Sequence, residues 1–577
     1  MKNLFCKIKQ SNFWSIMIIG LCGATVYSFM LAAPFKTLDD NHSIINNEAI
    51  KSLDNIGQIF QESFFGSGHY YRPLVSLSFM LEYHFFGLNP FYYNLTNLLL
   101  HVIIAITVFF LINALLNDRL LAFFVGILFA MHPIHWEAVA NIPGRAIILS
   151  ALFGFIAFLF YVYARKKKSL GLYVASLASF ILSLLSKESA AMLPIILLSY
   201  LIFIEPKAQR KNWTSTIIGI IPYFFIIFTY IIFRKSLGIM NIYPWRSVEE
   251  TVLGFFTFLQ SCLISLRLFI FPVDLYYDRS LRVFGNFTEP WFWSTLGVFL
   301  IAAIILLRKR KTYPKAVFFF LSWFFIDLFP VSQIITTIGV QPGYISTAEH
   351  FLYTPSVGIF ALMVIIIRWL WNANQKANVC SPNIFKINVA GILLFFALIT
   401  VQMNFQARSA IAMFERSIKH QPNNSRIFYS LGIEYGLREM PKKAEGYFRQ
   451  SLALEPFQPI ARIGLGKALC DQNQYWAGIQ EYEKVHHPGN FEELLENNLE
   501  KAYAILIEKY KIRIVNEPQN AGFYYSLGVM YSKTDQLTKA IVQYEKAIEL
   551  DPTHKEAFFN LKSLRKFIKN DTSSHSF

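Results

Sequence analysis

The stretch INVAGILLFFALITVQMNF, residues 387–405, is followed after a short interval by SRIFYSLGIEYGLREMPKKAEGYFRQSLALEP, residues 425–456. The first is an apolar run of the length that crosses a bilayer as a helix, about 20 residues. The second carries charges throughout, and its apolar residues recur at helical spacing. The two textures meet near residue 406. Upstream, apolar runs occur at 13–33, 91–116, 119–139, 145–164, 169–186, 188–205, 212–233, 291–307, 315–331 and 350–371, with a further, ambiguous one at 251–272. Downstream, no run is long enough to span. The expectation is an all-α protein whose first part, 1–405, is a polytopic membrane helix bundle of about eleven spans with a first outer loop at 34–90. A linker and start of a solenoid follow over 406–424, then helical repeats and a capping helix over 425–569, and a disordered tail over 570–577.

Composition agrees. Of 577 residues, 54% are hydrophobic, 17% aromatic and 16% charged, and phenylalanine occupies 57 positions. A soluble chain carries about 25% charged residues, so a purely soluble protein is disfavoured. The formal charge of +16 would suggest nucleic acid in a soluble protein, but in a membrane protein it reflects basic cytoplasmic loops. Position favours the second reading. Arg165-Lys166-Lys167-Lys168, Lys207/Arg210/Lys211, Arg308-Lys309-Arg310-Lys311 and Lys376/Lys386 all fall on one side if the chain has eleven spans and 251–272 is re-entrant or lies along the outer surface. Twelve spans would put Arg308–Lys311 outside. Lys2, Lys7 and Lys9 resemble a signal-peptide n-region, but the apolar stretch is too long and MLAAP is a poor cleavage site. The first helix is therefore read as retained, with the N-terminus cytoplasmic and the repeats extracytoplasmic. Most membrane-domain carboxylates, from Asp39 to Glu349, fall at the opposite, outer face, with Asp118 and Glu205 the main exceptions. That arrangement suggests a polar cavity there. Five cysteines without a CxxC pair argue against a disulfide framework or a structural zinc site.

The soluble part has a period of about 34 residues. One unit shows Phe428, Leu431, Gly432, Tyr435, Ala444, Phe448 and Pro456; another shows Tyr524, Leu527, Gly528, Tyr531, Ala540, Tyr544, Ala547 and Pro552. Both match the tetratricopeptide pattern, in which small residues let two antiparallel helices pack closely. Residues 459–490 keep part of the register, 491–518 read as a degenerate helical pair, and 555–569 as a polar capping helix. Stacked pairs make a concave interaction surface, and no catalytic constellation appears among them.

Candidate chemistry lies in the outer loops. Asp39-Asp40 follow the first span, and an acid pair there suits a general base or a bound cation, or else an N-cap. Arg72 precedes Pro73. His101 lies on an apolar helix, where a satisfied core histidine is the better reading. The segment FAMHPIHWEAVANIPGRAIILSA crowds His132, His135, Glu137 and Arg145 into one outer turn. Zinc is disfavoured there because HExxH is absent and Pro133 interrupts, and anionic headgroup binding fits better because Arg pairs bidentately with phosphate. Lys187-Glu188 could bind a ligand or neutralise one another. Asp274, Asp278, Arg279, Glu349, His350 and Tyr353 complete the outer set. No Walker A, GxGxxG or GxSxG motif organises the chain, which disfavours nucleotide-driven chemistry.

At these residues the chain resembles the GT-C membrane glycosyltransferases, and within them the transmembrane-and-tetratricopeptide-repeat proteins related to protein O-mannosyltransferases. The matching elements are Asp39-Asp40 with Asn47, Tyr71-Arg72-Pro73-Leu74 with Gly87 and Pro90, and His132-Pro133 with His135. Glu137-Ala138-Val139-Ala140, Gly144-Arg145-Ala146, Lys187-Glu188, Tyr277-Asp278, and Phe351-Leu352-Tyr353 before Pro355-Ser356-Val357-Gly358 also match. The likeness covers nearly the whole chain. Two departures stand out: the pattern usually has an acidic residue where Ile147 stands, and Arg where His350 stands.

The resemblance implies a GT-C-like bundle that moves a sugar, such as a mannose-like hexose, from a polyprenyl-phosphate carrier to an acceptor hydroxyl at the outer face, by inverting displacement. Asp39 or Asp40 would be the catalytic base. Arg72, His132, His135, Glu137, Arg145, Lys187, Glu188, Asp278, His350 and Tyr353 would bind the donor and its lipid phosphate. The implied partners are the lipid-linked donor, a polypeptide acceptor or protein on the repeats, and the bilayer, with no nucleic acid. No cofactor is assigned, and a divalent cation is left open. Lys, Ile, Asn and Phe richness suggests a bacterial inner membrane; in a eukaryote the outer side would be the endoplasmic reticulum lumen. The rival readings are a non-enzymatic scaffold acting through its repeats and a transporter, which would place charges at the bilayer midplane.

Overall fold

A bilayer offers no water to unpaired backbone N–H and C=O groups, so an apolar run placed in it is driven to close its hydrogen bonds within a helix. The computed structural model describes residues 11–37, 39–64, 68–206, 217–239, 247–334, 343–377 and 381–574, and in it the described part of each sequence run is largely helical. In chain order these are α1 (Asn12–Tyr27), α2 (Pro73–Phe86), α3 (Pro90–Leu116), α4 (Arg119–Met131), α5 (Arg145–Lys167), α6 (Leu170–Ser186) and α7 (Leu193–Phe203). Then come α8 (Ile221–Ser236), α9 (Val248–Ile270), α10 (Pro290–Arg308), α11 (Lys315–Leu328), α12 (Ser356–Ala377), α13 (Pro382–Gln406) and α14 (Ala410–His420). Sequence-local signals set several starts: Ser11, Asn89, Asp118, Ser169 and Ser381 each cap the helix they precede, satisfying N–H groups the first turn leaves open. Pro133 bends α4 by 49° from the segment that follows, as a residue without an N–H must. The Lys207/Arg210/Lys211 cluster, Lys2, Lys7 and Lys9 lie outside the described residues, as does the Lys376 side chain.

Contacts give each helix a direction between two ends of the bundle. At one end, Tyr27 Oη donates to His132 O (3.2 Å), Asn94 to Ala33 O (2.9 Å) and Asn404 to Val26 O (3.0 Å). Glu137 lies here. At the other end, Arg165 pairs with Glu205 at 2.8 Å, Arg368 with Asp118, and Lys166 Nζ with Ala114 O. Helix α11 runs antiparallel to α7: Phe318 stacks on Phe203 near the Glu205 end, and Ser322 meets Ser199 a turn further in. The turn before α11, with Arg308–Lys311, is therefore at the Glu205 end, and α10 begins at the Glu137 end.

Helix α8 also finishes at the Glu137 end, where Tyr230 Oη donates to Tyr71 O (3.3 Å) and Arg234 to His69 O (2.7 Å). The intervening α9 consequently starts and ends on one side. By length and apolarity it is one of seven helices able to span a membrane, or eight with the bent α4 segment. Yet Leu253 near its start packs with Phe284 and Phe292, Thr257 Oγ1 accepts from Phe284 N, and Phe269 O near its end accepts from His132. Helix α9 is unbroken, so the re-entrant alternative for 251–272 is replaced by a helix lying along the Glu137 end. Helix α2 lies there too. Among the described residues, α1, α3 to α8 and α10 to α13 run between the two ends; six of them, and a seventh if the bent α4 segment is counted, have the length and apolarity of a membrane span.

The chain divides into two compact units, Met1–Pro422 and Asn423–Phe577. The linker expected at 406–424 is thus corrected: α14 belongs to the first unit. Arg416 on α14 donates to Leu275 O at 2.6 Å, and His420 stacks on Tyr276 with centroids 5.0 Å apart. The only sheet among the described residues is a short antiparallel pair, β1 (Ser280–Arg282) with β2 (Tyr344–Ser346), with Leu281 opposite Ile345.

The second unit stacks α15 (Ser425–Leu437), α16 (Pro441–Leu454), α17 (Pro459–Cys470), α18 (Tyr475–Glu483), α19 (Glu492–Asn516), α20 (Ala521–Lys533), α21 (Leu537–Leu550) and α22 (Lys555–Ser574). The repeat glycines sit where helices touch: a Cβ on Gly432 would come within 2.6 Å of the Phe448 ring, and one on Gly528 within 2.7 Å of Tyr544. The degenerate pair expected at 491–518 is one 25-residue helix, α19. Its Leu495, Tyr503 and Leu506 join Ile463, Tyr482 and Leu527 in one apolar core, which removes the need for a second helix to cover it. The tail expected from 570 is helical as far as Ser574, and the rest lies outside the described residues.

Candidate functional site at the Glu137 end

The first loop is tied to the turn after α4. Lys36 is buried and its Nζ donates to Ala140 O at 2.7 Å, while its backbone N–H donates to Asp40 Oδ2 at 2.7 Å. Asp40 is fully buried and makes no side-chain cap to the short helical turn that follows it, so the N-cap alternative does not describe it. Asp39 is half-buried, and its backbone carbonyl accepts from Ser43 Oγ at 2.7 Å. Of the pair, Asp39 is the more accessible.

Arg72 and Glu188, 116 residues apart, form a bidentate pair with bonds of 3.2 and 2.8 Å. Arg72 also lies over the Tyr70 ring, 4.5 Å from its centroid. Lys187 is buried next to this pair, its Nζ 5.5 Å from the Phe351 centroid. Burial pushes the Lys187 ammonium down to about 8; the like charge of Arg72 adds to this, and Glu188 and Glu137 oppose it. A buried lysine gives up its proton more readily than an exposed one.

Glu137, 2% exposed, is ringed by donors from two other segments. His350 Nδ1 lies 3.2 Å from Oε1, His350 N donates to Oε2 at 3.0 Å, and Asp278 N donates to Oε1 at 3.4 Å. Asp278 takes a left-handed φ of +58°, a conformation Asp tolerates better than most residues. A second carboxylate lies behind. Glu349, fully buried, accepts from Trp136 Nε1 (2.6 Å), Tyr276 N (3.1 Å) and Arg279 (2.9 Å). Burial pushes its carboxyl up, with the Arg279 guanidinium opposing. Arg279 itself lies on the Tyr276 ring, 4.0 Å from the centroid.

Four of the expected donor-binding residues are packed into the interior instead. His132 accepts from Ile134 N at Nδ1 (3.1 Å), which leaves Nε2–H to donate to Phe269 O (3.0 Å). His135 meets Phe129 O at Nδ1 (3.0 Å) and Ser356 Oγ at Nε2 (2.9 Å). Tyr353 is fully buried with its hydroxyl 2.8 Å from His101 Nδ1, which also gives His101 the satisfied core role expected of it. Arg145 is fully buried, pairing with Glu82 (3.0 Å), Asn97, Ser78 (3.2 Å) and Tyr93 O (2.9 Å). These groups hold the ends of helices together. Their ring nitrogens, hydroxyl and guanidinium nitrogens are already engaged by groups within the bundle.

Arg72, Lys187, Glu188, Glu137, Asp278 and His350 are brought together at one end of an apolar bundle. Sequence reasoning passed over Lys36, whose only signal was its place in FKTLDD, and the supporting role of Trp136, Arg279 and Glu349. No group of three or more His, Cys, Asp or Glu side chains suited to a metal ion occurs among the described residues.

Fold and site define a multi-pass membrane protein, an all-α apolar helix bundle followed by tetratricopeptide repeats. The Tetratricopeptide repeat family matches residues 521–554. A protein O-mannosyl-transferase of Caenorhabditis elegans is 27% identical over 72% of this chain and 59% of its own length. Protein O-mannosyl-transferase TMTC3 of Homo sapiens is 23% identical over 94% of this chain and 65% of its own. TMTC2 of Mus musculus is 39% identical over a shorter stretch, 25% of this chain and 18% of its own. These relatives bear out the likeness to transmembrane-and-tetratricopeptide-repeat proteins related to protein O-mannosyltransferases, and the chain spans less than two thirds of the length of each. The crystal structure of MamA matches over 27% of this chain and 93% of that chain, at 20% identity and a TM-score of 0.17.

Proposed function

We propose that the protein is a membrane glycosyltransferase of GT-C type that moves a sugar, such as mannose, from a polyprenyl-phosphate carrier to a hydroxyl of a polypeptide. The observation that carries this reading is the convergence of Arg72, Lys187, Glu188, Glu137, Asp278 and His350 at the bundle end where the Asp39-Asp40 loop is anchored. The relatives' printed activity supports it. The basic turns Arg165–Lys168 and Arg308–Lys311 at the opposite end support a cytoplasmic N-terminus and an extracytoplasmic Glu137 end. The repeats would lie on that outer side, outside a bacterial inner membrane on the compositional reading.

The reaction follows from the groups available. Asp39, the more accessible aspartate, takes the proton of the acceptor hydroxyl as its oxygen attacks the anomeric carbon. Asp40 holds the loop through Lys36 N. The bond between the anomeric carbon and the phosphate oxygen breaks with its electron pair going to the phosphate, and the configuration inverts through an oxocarbenium-like state. Lys187 and Arg72 stabilise the charge that grows on the phosphate, where an electrostatic contact excluded from water counts for several kcal/mol. The carrier's apolar tail would pack between spans, where the many phenylalanines supply apolar surface, and the repeats would hold the acceptor.

The test is transfer from a panel of polyprenyl-phosphate sugars to serine- and threonine-containing peptides by the purified full chain. Asp39→Asn is expected to slow turnover by about 10²-fold or more with donor binding retained. Normal transfer by both Asp39→Asn and Asp40→Asn would sink the reading. So would an inert wild type. Intact function in those variants together with its loss on repeat-surface changes would favour the scaffold.

A further inference from the structure

Stacked helical repeats leave a terminal helix with one face on its neighbour and the other toward water, and that outer face is ordinarily polar. Helix α22 departs from this. Its inner stripe, Ala557, Leu561 and Leu564, is buried, with Leu561 and Leu564 joining the repeat core. On its outer side Phe558 is 57% exposed, Phe559 70% and Phe567 60%. Helical residues three, four and seven apart share a face, so Lys555, Phe559, Lys562 and Lys566 form one stripe, turned away from the buried one. All three lysines are exposed. The polar capping helix expected over 555–569 is therefore aromatic as well as basic on its outer face.

Positive charge gathers on the same helix. Residues 423–554 contain 15 Lys and Arg against 17 Asp and Glu, whereas residues 555–569 contain five against one, Glu556. Arg565 is paired with Glu545 on α21, and His554 Nδ1 lies 3.2 Å from Glu556. Among the described residues no carboxylate pairs with Lys555, Lys562 or Lys566. Three unpaired ammonium groups thus surround one solvent-exposed ring. A ligand for such a face must offer apolar depth to the ring and negative charge to the lysines. A phospholipid surface offers both: the ring enters at the boundary of headgroups and acyl chains, and the lysine stems lie beside it with their ammonium groups at the phosphates. A second copy of the same face would instead set lysine against lysine. A chain already held in a bilayer also keeps lipid at high effective concentration.

We propose that the outer face of α22 is a docking surface for an anionic phospholipid membrane, with Phe559 inserted and Lys555, Lys562 and Lys566 on the lipid phosphates. The contact makes and breaks no covalent bond, and it is independent of the glycosyltransferase reading. Its electrostatic part is screened by salt.

The experiment holds the full chain in phosphatidylcholine nanodiscs and measures, by flotation, its capture on added vesicles of phosphatidylcholine with and without phosphatidylglycerol. Wild type is expected to bind the vesicles that contain phosphatidylglycerol and to be released by high salt. Lys562→Gln with Lys566→Gln is expected to lower that affinity roughly 30-fold, and Phe559→Ser about tenfold. Lys562→Arg with Lys566→Arg keeps the charge and should bind as wild type does. The basic turns of the membrane unit are the same in all four proteins and cancel in the comparison. The substituted side chains are exposed, so unchanged thermal unfolding is expected throughout. Equal capture of wild type and the Gln and Ser variants overturns the proposal, as does capture indifferent to phosphatidylglycerol. Wild type that self-associates through Phe559 and leaves the vesicles unbound also overturns it, and makes the face an interface between two copies. None of these readouts uses sugar transfer, so either reading can fail without the other.

Discussion

Lys187 and Arg145 are both basic residues at the Glu137 end, and their surroundings give them opposite roles. Lys187 is pushed down to about 8, so its charge is present below that pH and lost as pH rises through it. Polyprenyl phosphate binding is expected to weaken on the alkaline side of about 8 in wild type, and Lys187→Arg is expected to hold its affinity there. Titration calorimetry at three pH values checks this; parallel decline in both proteins refutes it. Arg145, with each guanidinium nitrogen engaged and Glu82 as its buried counter-charge, is a stability residue. Arg145→Leu should cost about 3–5 kcal/mol, because it strands a buried carboxylate, and Arg145→Leu with Glu82→Leu should recover part of that in thermal unfolding. The sequence grouped both residues with His132, His135 and Tyr353 as polar candidates in outer turns. It could not separate them, since the partners that commit His135 and Tyr353 are Ser356 and His101, far away in the chain.

At the scale of elements, the apolar run at 251–272 shows what composition leaves open. Length and hydropathy qualify α9 as a span, and only the directions of α8 and α10 show that it does not cross. Single cysteines at Val248 and Phe271, in a background without the native cysteines, are expected to react with a membrane-impermeant reagent from the same side. Labelling from opposite sides would make α9 a twelfth crossing. The turn between α4 and α5 is equally constrained: a Cβ on Gly144 would lie 2.0 Å from Ala138 O. No side chain can be accommodated against backbone at that distance, so Gly144→Ala should lower stability by about 3 kcal/mol, the upper end for overpacking. Thermal unfolding in detergent checks it, and an unchanged midpoint contradicts the packing.

For the whole molecule, the division at Pro422–Asn423 gives the repeats their own apolar core. Residues 423–577 expressed alone are expected to give a soluble, cooperatively unfolding helical protein, with loss of helix at one midpoint in circular dichroism; an unfolded product would mean the repeats need the membrane unit. The sequence by itself determined the all-α class, the presence of several apolar membrane helices, the two-part organisation and the identity of most charged residues at the Glu137 end. These are properties of local composition: a run of apolar residues must be helical in lipid, a helical repeat carries its own period, and basic residues mark one side. Only the tertiary structure decided that α9 lies along one end, that α14 stays with the membrane unit, and that His132, His135, Tyr353 and Arg145 are engaged inside the bundle while Arg72, Lys187, Glu188, Glu137 and His350 converge at its Glu137 end. Burial and pairing depend on which distant segments meet, and the free energy of a charge depends on what surrounds it. One-dimensional spacing carries neither.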